Sequence, residues 1–545
     1  MKHLFALLFL LTAVIYAAEV KFPRQQVPRA NTIRVDDVVL NIDRASSTSR
    51  DWIITAKRGR DVRQAVIKRN GINRLYFPDL VLEIRNWNIP KAESWSILAE
   101  TIGDYEIRTM KPPEVLSAPS AMRVTEKKVK DRTHYVFSNG WLTLECIPSC
   151  NGAIVSFKDE LLNREFFRDS MKNRELNLKS FQNLGFVDLF DIWGKTPQAA
   201  MDWNVKNGLI RMQGESQIKK HTTFIREMKL HPGTFVFELK SAVRFHGGGN
   251  AETIELKHRP EFRMFKNGAD RSFQLLKPDA NDRLQLVTPK VGTPHSTTRN
   301  AYAVVDSAAG LLFGIRYQDH KQLYLWCDSE YFSPEAMGQT KISIAKNPSM
   351  SLAYFLIHGM GRADFLGKNI AFALPEKTLM LLEGTADRYK IDCVAGFAIP
   401  AKKAAVTMTL KNENGKAVSS CTTSFVPPAP GFATGFPAYV NVKNIPAGKY
   451  TLNIKVVGDK KELLDSTASF RITARADVEK VGRYLARVNK AIADSRKAFR
   501  TSKNRQQIMK DFRRYIALRE QLQTLQKTGE LLPDELRNDP LFKGL

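Results

Sequence analysis

The chain has 545 residues, long enough for three or four domains each with its own core, so a single small module is excluded. Lysine and arginine number 83 against 56 acidic residues, a formal charge of +27. That surplus favours acidic partners, whether sulfated or uronate polysaccharide, an anionic membrane surface or nucleic acid; a basic exported protein without such a partner accounts for it equally well.

Lys2 precedes an apolar run from Leu4 to Tyr16, and Ala17 and Ala18 close it. A charged start, a short hydrophobic stretch and a small-residue exit describe a secretory signal peptide over residues 1–18, with an uncleaved anchor as the alternative. The run falls short of the ~20 residues that a membrane helix needs. No later stretch reaches spanning length, so the mature chain is expected to be soluble, secreted or periplasmic, without a transmembrane span. Export leaves nucleic acid little opportunity, and it is not expected as a partner.

Residues 19–115 alternate in short runs, Ile33–Val35, Val38–Ile42, Trp52–Thr55, Leu80–Ile84 and Tyr105–Arg108, and predict a small N-terminal β-sandwich. Pro112-Pro113 through Pro119 read as a linker. Residues 120–375 then carry a long antiparallel β run, typified by Trp141–Glu145, Phe235–Leu239 and Ser351–Leu356. Its alternation breaks at Gly185–Gly194 and Met201–Asn204. There Asp188, Asp191, Trp193 and Trp203 supply the indoles and carboxylates expected in a carbohydrate cleft. An irregular insertion over a sheet edge is the alternative.

Residues 376–474 contain Tyr389–Cys393, Val406–Leu410 and Lys449–Ile454, an immunoglobulin-like pattern. Residues 475–545 change period. Val478, Val481, Leu485, Val488, Ile492 and Phe499, then Ile508, Phe512, Tyr515, Leu522 and Leu525, predict a basic helical hairpin turning near Thr501-Ser502. The fold class is therefore mainly β and multi-domain: an N-terminal sandwich, a central β-supersandwich, an immunoglobulin-like sandwich and a C-terminal α-helical hairpin.

Five cysteines fit export. Cys146 and Cys150 are spaced to close a small loop, Cys393 and Cys421 to bridge a sandwich, and Cys327 is left over as a free thiol. No spacing resembles a zinc site, and neither metal nor cofactor is expected.

Asn139–Glu145 followed by Asn151–Phe157, Leu230–Thr234, His258 within Glu255–Phe262, and Asp328–Ala336 together resemble the galactose mutarotase-like β-supersandwich domains. The resemblance covers roughly 240 residues of the chain and implies a carbohydrate-binding or carbohydrate-active central domain. In aldose 1-epimerases of this fold a histidine protonates the ring oxygen while a glutamate takes the anomeric hydroxyl proton. Carried over by position, His258 is the acid and Glu330 the base, with Glu335 or Asp328 as substitutes. An acid and a base flanking one carbon explain the residue types. The family's earlier histidine–glycine phrase has no counterpart, and Arg259 beside His258 disfavours its protonation. Arg259 instead suits a carboxylate or sulfate substituent.

Two further enzymatic readings remain. A lyase would use His258, Arg259 and Tyr331. A glycoside hydrolase would pair Asp188 or Asp191 with Glu330 or Glu335. A surface or assembly protein that binds anionic polymer is the non-catalytic alternative. The leading expectation is a secreted carbohydrate-binding protein, with Asp188, Asp191, Trp193, Trp203, Arg259, Trp326 and Asp328 at the sugar and anionic polysaccharide among its ligands.

Overall fold

A computed structural model describes residues 19–543, except 45–51, 88–100, 167–185, 191–200, 264–272, 288–294 and several shorter stretches. For 186–190, 256–260, 322–327 and 331–337 the description is of backbone and register. The signal peptide expected over 1–18 lies outside the described residues. The chain is mainly β and forms two compact units. The first comprises Met1–Ala373 with Val394–Lys402 and Val426–Gly435, the second Leu374–Cys393, Lys403–Phe425 and Phe436–Leu545.

The first unit begins with two four-stranded sheets. One orders Glu19–Pro28, Thr101–Met110, Leu80–Trp87 and Ile72–Phe77; the other orders Thr32–Val35, Val38–Arg44, Trp52–Arg58 and Asp61–Val66. Their inner positions bury Ile33, Leu40, Ile54, Leu75, Leu82, Ile84 and Ile107 in one core, which is the expected sandwich. Arg63, itself buried, carries this sandwich onto the rest of the unit. Its Nε donates to the Tyr76 carbonyl at 2.8 Å, and its Nη1 and Nη2 donate to the carbonyls of Ser307 and Gly359 at 3.4 Å.

Two larger sheets follow. The first orders His295–Thr297, Gln322–Cys327, Tyr331–Met337, Leu256–Pro260, Phe186–Phe190, Ala153–Asp159, Leu142–Ile147, Arg132–Ser138 and Arg123–Val129. The second runs from Asp202–Lys206 through Leu209–Glu215, Thr222–Leu230, Val236–Phe245, Ser349–His358, Leu311–Gln318 and Ala301–Asp306 to Phe273–Pro278 and Leu284–Val287. Phe137, Leu144, Ile154 and Phe157 of the first sheet share a core with Met212, Phe224, Phe237, Phe313 and Tyr354 of the second. Aromatic contacts dominate it. Trp141 stacks on Phe235 at 5.0 Å, and Phe157 meets Phe313 edge-on at 5.8 Å.

At one end of this core a fully buried pair joins strands that are far apart in sequence. His358, the last residue of its strand, places Nε2 2.6 Å from Oδ2 of Asp159 and Nδ1 2.7 Å from the carbonyl of Gly431. Both ring nitrogens face oxygen acceptors, so two protons are held. One runs from Nδ1 to the carbonyl, and one is shared between imidazole and carboxylate. The other Asp159 oxygen accepts from the backbone N–H of Leu161 and Leu162. Rings of Tyr76, Phe235 and Phe432 surround the imidazole at 5.0–5.2 Å and keep water out. Gly431 has a φ of +76°, and a Cβ there would strike the Phe235 ring, so only glycine fits.

In the second unit, Thr378–Leu382, Lys461–Thr473, Gly448–Gly458, Ala404–Lys411 and Ala417–Phe425 form a five-stranded sheet. Val406, Met408, Leu452, Ile454, Phe470 and Ile472 are its buried side. Tyr450 donates its hydroxyl to the Pro446 carbonyl at 2.7 Å, the corner tie common in immunoglobulin-like sandwiches. Two helices follow, α1 (Arg475–Thr501) and α2 (Arg505–Thr528), and the chain turns where the sequence predicts. Val481, Tyr484, Val488 and Ile492 pack on Leu518, Leu522 and Leu525, but Val478 and Phe499 from the expected stripe are exposed. Among the described residues no helix is long and apolar enough to cross a membrane.

The cysteine pairings are corrected. Cys146 and Cys421 are free thiols, which removes both expected bridges. Cys146 points into the aromatic core instead of along the loop toward Cys150, and Cys421 sits on the edge strand opposite Met408, where the Arg388 guanidinium approaches it at 3.5 Å. Cys327 belongs to the strand Gln322–Cys327.

Replacing His358 with Leu leaves a buried carboxylate unpaired and is expected to cost about 3–5 kcal/mol. Asp159→Asn should cost far less, because its amide supplies the shared proton; equal urea midpoints for the two variants contradict this. Burial pushes the Cys146 thiol well above its ordinary value. Alkylation followed by mass spectrometry should therefore label half-buried Cys421 in the native chain and Cys146 only after unfolding.

Candidate functional site

The first large sheet carries most of the residues singled out from the sequence. Asp188 in Phe186–Phe190 lies directly opposite His258 in Leu256–Pro260, and His258 lies opposite Ala336 in Tyr331–Met337. Glu335 is opposite Tyr324, and Trp326 is opposite Ser333. His258 is the middle residue of its strand, and Trp326 and Glu335 are on two adjacent antiparallel strands. Asp191, Trp193, Asp328 and Glu330 lie outside the described residues. Trp203 is on the edge strand of the second sheet, opposite Met212.

The register sorts these positions onto two faces. Directly paired residues of neighbouring antiparallel strands share a face, and successive residues alternate. Ile154 is buried in the core and pairs with Phe186, so the Phe186, Asp188 and His258 positions belong to the face that looks onto the second sheet. Ala336 follows them, being paired with His258. Arg259, Glu335, Tyr324 and Trp326 occupy the alternate, outward positions. The register that pairs Lys257 with Met337 and His258 with Ala336, carried one residue further, sets Arg259 level with Glu335. A row of Arg259, Glu335 and Tyr324 thus crosses three adjacent strands, with Trp326 two residues along from Tyr324. At an inter-strand spacing of about 4.8 Å, the outer members are about 10 Å apart, the scale of a sugar ring with its substituents.

Chemically, such a row offers a guanidinium, a carboxylate, a phenol and an indole. Carboxylates accept from sugar hydroxyls, guanidinium forks donate to carboxylate or sulfate oxygens, and indoles stack on the apolar face of a pyranose. Tyr324 was missed in the sequence, although the alternation Gln322-Leu323-Tyr324-Leu325-Trp326 marks it.

A second cluster escaped notice. His134 Nδ1 stands 2.6 Å from Glu145 Oε1, and Lys127 Nζ donates to Glu145 Oε2 at 2.7 Å. The three sit on successive strands at the other end of the same sheet, and the His134 side chain is nearly buried. Their separation in sequence follows no motif spacing. Among the described residues no cluster of histidine, cysteine, aspartate and glutamate is placed to hold a metal ion.

No family model and no curated protein matches the chain. Solved structures to which it is similar include a galactose mutarotase-like protein from Clostridium acetobutylicum, with 12% identity over 43% of this chain and 98% of that one, at a TM-score of 0.33. They also include a putative aldose 1-epimerase from Klebsiella pneumoniae (14% identity, 44% of this chain, 88% of that one, TM-score 0.29). A putative mutarotase from Salmonella typhimurium matches at 9% identity over 44% of this chain and 96% of that one, with a TM-score of 0.29.

Proposed function

We propose that the protein is an exported carbohydrate-binding protein whose sugar lies on the outward face of the first large sheet. The observation that carries this reading is the row formed by Arg259, Glu335 and Tyr324 with Trp326 beside it, four groups of carbohydrate-binding type on one side of three neighbouring strands. Trp326 stacks on the ring, Glu335 and Tyr324 bond its hydroxyls, and Arg259 meets an acidic substituent. The Asp188 and His258 positions fall on the other face. Residues 1–18, read as a signal peptide, direct the chain out of the cytoplasm, to the compartment where polysaccharide is met.

The catalytic alternative uses His258 as acid and Glu330 or Glu335 as base, in epimerase, lyase or hydrolase chemistry. The register favours binding over this, because the His258 and Glu335 positions alternate across the sheet and an acid–base pair must reach one carbon from one cleft. Trp203, on the edge strand of the second sheet, joins the binding set only where the cleft extends past the first sheet.

A glycan array probed with the chain should return ligands whose affinity falls at least tenfold, about 1.4 kcal/mol, in Trp326→Ala and in Glu335→Gln. His258→Ala should bind within about twofold of the parent on the same arrays. Binding that survives the first two changes and disappears with the third, accompanied by epimerisation of reducing sugars in a polarimeter, would establish the catalytic reading instead.

A further inference from the structure

The hairpin of the second unit ends in a tip that its own fold leaves uncovered. From Ala493 to Ala517 no residue is fully buried, whereas Val488 and Ile492 before it and Leu518 and Leu522 after it belong to the helical core. Between Ser495 and Arg514 the sequence places eight lysines and arginines against one acid, Asp511. Arg514 is held by both oxygens of Asp539, at 2.7 and 2.8 Å. Among the described residues, Arg496, Lys497, Arg500, Lys503, Arg505, Lys510 and Arg513 have no carboxylate partner. Arg496 and Arg500 are four apart on α1, and Lys510 and Arg513 three apart on α2, spacings at which like charges repel along a helix. The tip therefore carries electrostatic strain that a counter-charge would relieve.

The aromatic residues at the tip indicate which kind of counter-charge. The Arg496 guanidinium lies over the Phe512 ring and the Arg505 guanidinium over the Phe499 ring, each 5.7 Å from the centroid. Each guanidinium covers one face of its ring, while Phe499 itself stays 38% exposed. The rings hold two guanidinium planes in place, which lowers the entropy lost when each fork engages a planar or tetrahedral oxyanion. A run of fixed forks interspersed with mobile lysines suits a linear polymer that bears repeated sulfate or carboxylate groups.

We propose that this tip is a binding site for anionic polysaccharide, with Arg496, Arg500 and Arg505 engaging its sulfate or carboxylate groups. The site is separate from the outward face of the first sheet and stands whether or not that face binds sugar. The full chain should bind both heparin and polygalacturonate, which separates the sulfate arm from the carboxylate arm, and should ignore dextran. The triple variant Arg496→Gln, Arg500→Gln, Arg505→Gln should weaken binding at least tenfold. Lys416→Gln, Lys449→Gln, Lys461→Gln, equal in charge but on the sandwich, should change it less than about twofold. The difference should vanish near about 1 M salt, where screening reaches contact distance. Arg496→Lys with Arg505→Lys keeps charge and helix and should still lose about threefold, since the forks are gone. Equal losses from the two triple variants overturn the proposal. So does tip-dependent binding that is tighter to vesicles of equal parts phosphatidylglycerol and phosphatidylcholine, or to duplex DNA, than to either polysaccharide. Glycan binding by the first sheet should be unaffected by every tip variant.

Discussion

Burial of one face of the first large sheet determines what its other face displays. Phe137, Leu144, Ile154 and Phe157 must be covered, and Phe237, Phe313 and Tyr354 of the second sheet cover them. Once these positions point inward, the period of two fixes the remainder of each regular strand, and a bulge at Val155 keeps both Ile154 and Phe157 on the core side. The pairing of Ile154 with Phe186 passes the phase to the strand holding Asp188, then to that holding His258, then to that holding Glu335. A slip of one residue at any of these steps would send core residues to solvent and exchange the two faces. The outward row of Arg259, Glu335 and Tyr324 is thus maintained by apolar burial several strands away, with no need for contacts among its own members.

The same sandwich is closed at one end by a polar tie. Asp159 ends a strand of the first sheet and His358 ends a strand of the second, and their 2.6 Å contact is fully buried. It draws in Gly431 from a late excursion of the chain and stands against Tyr76 of the N-terminal sandwich. Apolar packing tolerates small sliding of one layer over another, while a shared proton between two fixed groups does not. The sandwich therefore combines a broad, non-directional layer with a few directional contacts, among them Asn139 Nδ2 donating to the carbonyls of His231 and Thr234 and Arg226 Nη1 donating to that of Gly152.

Much of the strand content was legible because half-buried strands write their alternation into the sequence. Leu80–Ile84, Tyr105–Arg108, Val406–Leu410 and Lys449–Ile454 are all strands, and the change of period after residue 475 marks the helices. Irregular or polar edges were less legible, such as Glu19–Pro28 and Asp61–Val66, where charged residues interrupt the pattern. Val478 and Phe499 kept the helical period yet lie exposed, although Asp477 and Val481 beside the first of them are buried. What the sequence could not display was pairing across distance. Asp159 and His358 are 199 residues apart, and nothing local distinguishes either from a strand-end residue. Candidate residues such as His258 and Trp326 were identifiable by type. Their distribution between two faces required the register.

Sugar is proposed to meet the outward row of the first sheet. Hydroxyl-radical footprinting of the chain, with and without an array-selected glycan, reads that face residue by residue. Protection of Trp326 and Tyr324, with Trp203 on the second sheet unchanged, is the predicted result. Protection confined to Trp203, with Trp326 as reactive as in the free chain, would contradict it.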